Sequence, residues 1–152
     1  MEIGVALILA QLGYVAEMRG DAPLAESLHR DGLAAGRRPG DPRALVLALE
    51  GLAGARSVAA TMGDRASGAA ALLGTAAALR ESLGTPLHPA ERHDVDRAEA
   101  RLRAALGEEA FAAALAHGRA LPPQAQVALI ERTGPTSATG PTDPAAAPLR
   151  SP

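Results

Sequence analysis

Four histidines, His29, His88, His93 and His117, are the side chains best suited to metal or proton chemistry near neutral pH. A helical zinc site asks for two of them four positions apart, with a third ligand in reach. His88 and His93 are five apart with Pro89 between them, and spacing suggests no third ligand. The four are read as surface or capping residues. Ser67, in Ala66-Ser67-Gly68, falls inside a helical stretch, whereas a nucleophilic serine needs a strand-to-helix elbow. Gly51-Leu52-Ala53-Gly54 follows a helix and has no lysine after it, so it does not read as a phosphate loop. Glu108-Glu109 could act as an acid/base pair, but reads more simply as negative charge at a helix start. Arg37-Arg38, with Arg30 and Arg43 nearby, could meet a phosphate or an acidic peptide. Its simpler role is favourable charge at a helix C-terminus. The expectation is therefore no catalytic residue, no cofactor and no metal.

Composition narrows the field further. The 152 residues suffice for one domain with a core. Alanine fills 37 positions, and the aromatics are Tyr14 and Phe111 alone. Such a core must pack through small side chains at narrow helix spacing. All 15 basic residues are arginine, and the net charge is −2 with both signs interspersed, which argues against direct nucleic-acid binding. Without cysteine there is no disulfide or thiolate chemistry, and a reducing, cytoplasmic setting fits. The apolar start Met1 to Ala10 lacks a basic segment, carries Glu2 and breaks at Gln11. It reads as a buried first helix and not as a signal peptide or membrane span.

Periodicity is helical throughout, and no strand candidate survives. Helices are expected over about 3–19, 21–36, 42–62, 64–83, 89–106, 108–117 and 123–132. Gly20-Asp21 and Gly63-Asp64 stop one helix and start the next. Asp41-Pro42 supplies a cap and a first-turn proline. Gly51 and Gly54 weaken their helix unless another helix crosses there at close range. Glu99 and Arg103 form an i,i+4 pair. Gly118 is expected to end the sixth helix. Beyond Gly134, five prolines alternate with Thr, Ser, Gly and Ala, a composition that predicts a disordered tail over 134–152.

The two Gly-Asp turns lie 43 positions apart inside a recurring unit. Leu9, Leu12, Ala16, Gly20 and Ala25 are matched by Leu52, Ala55, Ala59, Gly63 and Gly68, while Gly13 falls opposite Arg56. This pattern resembles the tetratricopeptide family, although Arg56 stands where a small residue is usual. Residues 69–84 and 106–121, the latter reading LGEEAFAAALAHGRAL, resemble a segment near the C-terminus of large ATP-binding transcriptional regulators of the LuxR type from high-GC bacteria. The resemblance implies an all-α fold, about seven antiparallel helices in a TPR-like superhelical stack over residues 1–133. It also implies that the chain is the C-terminal helical module of such a regulator, either free-standing or a truncated fragment.

Its implied role is non-catalytic: a protein-interaction or regulatory module with a protein or peptide partner. The alternative is a small-effector sensor. No membrane contact is expected, and a homo-oligomer is left open. Carried over from the family, the interaction groove would be lined by Tyr14, Glu17 and Met18 from the first repeat, with ordinary packing as the alternative for Tyr14. Glu50, Ser57 and Thr61 would line it from the second. Glu17 and Glu50 would make it mildly acidic, suited to a basic or neutral peptide.

Overall fold

The computed structural model describes residues 2–36, 41–60 and 63–132. They form seven α-helices: α1 (Glu2–Met18), α2 (Ala22–Gly36), α3 (Pro42–Ala59), α4 (Asp64–Leu83), α5 (Pro89–Leu106), α6 (Glu108–Ala120) and α7 (Pro123–Arg132). No strand occurs among the described residues. The fold is all-α with seven helices, as expected. Thr61 and the expected disordered tail, 134–152, lie outside the described residues, as do Arg37 and Arg38.

Local chemistry explains the helix ends. Gly20 and Gly63 both adopt positive φ, 77° and 78°, which a side chain would strain. Asp21 Oδ1 accepts the Leu24 N–H (3.1 Å), and Asp41 Oδ1 accepts that of Arg43 (2.9 Å). The two Gly-Asp turns are not equivalent. Asp21 precedes its helix as a cap, whereas Asp64 is the first helical residue behind Gly63. At α5 the His88 backbone N–H donates to Glu91 Oε2 (3.3 Å).

Packing follows chain order through α4. α1, α2 and α3 pack on one another, and α3 lies between α1 and α5. α6 then settles mainly on α4 rather than on α5. The main core joins Leu33 of α2, Leu49 and Leu52 of α3, Leu72 of α4, Leu102 of α5, Phe111 of α6 and Ile130 of α7. The joint between the first three helices is much smaller in volume: Ala16, Ala25 and Ala55, with Leu28 against them. At this alanine-lined point small side chains let the three helices approach closely.

Gly118 does not end α6; the helix continues to Ala120. The residue is instead buried where α6 crosses α4, and a Cβ there would overlap the Ala71 carbonyl oxygen. Gly74 on α4 answers it, since a Cβ at that position would overlap the Leu115 carbonyl. The Thr75 hydroxyl bonds the Gly118 carbonyl (2.7 Å) and accepts the Gln126 side-chain N–H (3.0 Å), tying α4, α6 and α7 together. Gly51 and Gly54 do make a close approach, but to side chains: His29 from α2 and Glu17 from α1.

Candidate functional site

The residues expected to line a groove are mostly interior. Tyr14, Glu17, Glu50 and Ser57 are all buried. Met18 is 60% exposed and lies on the outer side of α1. The reason lies in α5. It packs over α3 and delivers two arginines to the place where the groove would open. Arg101 Nη1 donates to Glu17 Oε1 (2.6 Å) and approaches Ser57 Oγ (3.4 Å), so Glu17 and Ser57 are brought together under one guanidinium. Arg97 Nε stands 3.8 Å from the same Glu17 oxygen and donates through Nη2 to Asp94 (2.5 Å). The Ser57 hydroxyl donates back to the Gly54 carbonyl (2.6 Å).

Glu50 is held separately. Arg80 grips it with two bonds, Nε to Oε1 at 2.5 Å and Nη2 to Oε2 at 2.9 Å. Arg80 also reaches the Thr85 carbonyl (3.2 Å) and lies 3.5 Å from Glu91. Burial raises the carboxyl pKa of both Glu17 and Glu50, and their arginines oppose that rise. The expected acidic character of the groove is therefore spent on internal pairs. Burial likewise pushes the Tyr14 phenol well above its ordinary value. Tyr14 is a core residue, 6% exposed, so packing and not the groove accounts for it.

His29 is the residue that spacing missed. It is 1% exposed and not a surface histidine. Its imidazole fills a slot between Gly13 of α1 and Gly51 of α3, with Tyr14 edge-on at 5.1 Å between ring centroids. Neither ring nitrogen has a hydrogen-bond partner among the described residues, and the void beside the ring, lined by Ala6, Ala10, Gly32 and Ala48, has no room for water. Burial alone drives its pKa down to about 4, so the ring is neutral at pH 7. The signal was present in the sequence: glycines on two helices and a histidine on the one between. Arg56, the misfit in the second repeat, pairs with Glu26 across α2 and α3 (3.1 Å). Glu26 also pairs with Arg30 (3.1 Å), which in turn donates to the Ile130 carbonyl of α7 (2.9 Å).

Among the described residues a concavity lies elsewhere. A cleft of about 570 Å³ opens where the end of α2 and the start of α3 face α7. Leu33, Pro42, Leu45, Val127 and Ala128 form its apolar walls, with Asp41, Gln124 and Glu131 at its polar positions. Asp41 is already bound by the Arg43 backbone and guanidinium, which lower its pKa. Such a cleft can take up an apolar side chain or a small apolar molecule. Its volume falls within the ~300–1,000 Å³ common for ligand sites. Sequence reasoning missed it because its walls come from segments some ninety residues apart.

No protein-family model, curated protein or solved structure matches this chain. The class that fold and site define is an all-α assembly of seven helices. Among the described residues it has a salt-bridged interior and an apolar cleft at the α2–α3–α7 junction.

Proposed function

We propose that this chain is a non-catalytic protein-interaction or regulatory module whose contact point is the α2–α3–α7 cleft. The observation that carries the reading is that cleft itself: apolar walls from three helices, next to a core that holds them in place. The buried ionisable groups support it, because Glu17 with Arg101 and Glu50 with Arg80 are committed to structural pairs away from the cleft. A stretch of partner chain presenting one or two apolar side chains is the guest that fits. The resemblance to the C-terminal module of LuxR-type regulators agrees with such a role, as does the helix-pair repeat. A small apolar effector is the second reading, favoured by the ligand-sized volume of the cleft.

The test is selection of peptides from a displayed library against the folded chain, repeated with Val127→Arg. Enriched peptides should carry apolar anchors and lose at least about tenfold in affinity to Val127→Arg at unchanged helicity. Binding unaffected by Val127→Arg would place the contact elsewhere. Binding of small apolar probes, with no peptide enriched, would favour the effector reading.

A further inference from the structure

Of eight large apolar side chains exposed among the described residues, six lie on α1: Val5, Leu7, Ile8, Leu12, Val15 and Met18. They are 42–60% exposed, and every exposed position from Gly4 to Met18 is uncharged. The other exposed helix surfaces differ. The outer side of α5 carries Arg92, Asp96 and Arg103, and that of α6 carries Glu109 and His117. The outer face of α1 is the most apolar surface among the described residues.

The spacing says what fits it. Val5, Ile8, Leu12 and Val15 follow intervals of three, four and three, the seam that one helix offers to another. That series reads the same in both directions. A second α1 laid antiparallel across it sets Val5 against Val15 and Ile8 against Leu12, then repeats both contacts by symmetry. A self-matching patch is what a two-fold interface requires. The six exposed side chains amount to on the order of 500 Å² per copy, as large as the largest patch on a typical monomer at ~300–600 Å². Two copies with their rims approach the ~1,200 Å² at which stable interfaces begin.

We propose that two copies of this chain dimerise through the outer face of α1, with the two helices antiparallel about a two-fold axis. The proposal does not rest on the cleft. The experiment is analytical ultracentrifugation of the full chain over a range of concentrations, with Ile8→Glu/Leu12→Glu beside it. The wild-type chain should dimerise with a dissociation constant of about 10 μM. The double variant should weaken this at least about 100-fold, with helicity unchanged. Ile8→Ala/Leu12→Ala serves as a milder pair should the charges disturb folding, and should weaken dimerisation about tenfold.

Orientation is read by disulfide formation, since the natural chain has no cysteine. Val5→Cys should cross-link to Val15→Cys in a mixture and neither should cross-link to itself. A chain that stays monomeric at about 200 μM, well above that constant, would overturn the proposal and leave the face to a different partner. A dimer indifferent to the α1 variants, or one that cross-links Val5→Cys to itself, would overturn it equally.

Discussion

The two halves of the molecule use buried glycine in opposite ways. In the first half, Gly13 and Gly51 make a slot for an imidazole, and Gly54 makes room for the Glu17 carboxylate. In the second half, Gly74 and Gly118 let two backbones touch, and the Thr75 hydroxyl bonds the Gly118 carbonyl across the crossing. Space vacated for a side chain can be refilled by shrinking that side chain. Space vacated for a backbone cannot. The first half therefore makes room for a buried imidazole and carboxylate, and the second for a direct helix crossing.

The strongest break of this comparison is Gly118→Ala. Alanine favours the helix by about 1 kcal/mol, but its Cβ overlaps the Ala71 carbonyl, which no rotamer change moves away. A net loss of about 3–4 kcal/mol is expected in urea denaturation, and Ala71→Gly should not restore it. Recovery by Ala71→Gly would show that a side chain, not the backbone, sets the distance.

Acid should separate the halves next. The His29 pKa falls from 6.5 in the unfolded chain to about 4 in the folded one. Between those values the unfolded state binds the extra proton, so stability is full above pH 6.5 and drains as the pH falls towards 4. The change is about 3 kcal/mol for a shift of this size. Glu17 and Glu50, with raised pKa values, act in the opposite sense as they protonate. The measurement is accordingly a difference between wild type and His29→Ala across that window. Parallel stability curves would mean that the ring is hydrated.

A smaller and sharper test is Gly51→Ala, whose Cβ would overlap the His29 ring. It should cost about 2 kcal/mol on its own. Combined with His29→Ala, the loss should be less than the two singles added, by at least about 1 kcal/mol, because the new methyl occupies vacated space. Simple additivity would remove the distinction between the two kinds of glycine.

Much of the fold was legible because helix starts and stops are short-range chemistry. Gly20 with positive φ, the Asp41 side chain on the Arg43 N–H, and Pro42 in a first turn each act within about four residues. Gly118 misled for the same reason, since a glycine near a helix end and one at a helix crossing look alike in sequence. The groove was misread further still. Helical spacing set Tyr14, Glu17 and Met18 on neighbouring positions correctly, but could not say which side of α1 faces inward. The apolar seam Val5, Ile8, Leu12 and Val15 looks like the buried side, and it is the exposed one.

The sequence by itself determined an all-α chain of seven helices and most of their boundaries, because propensity, caps and left-handed stops are local. It also determined the pool of charges available for pairing. Tertiary structure alone decided that Glu17 meets Arg101, 84 positions away, and that His29 sits between glycines of two other helices. It also decided that α2, α3 and α7 together wall a cleft. Burial depends on which helix arrives to cover a face, and the arriving helix is coded far along the chain. A carboxylate with an arginine delivered to it can stay inside, whereas the same carboxylate without that partner would have to face water.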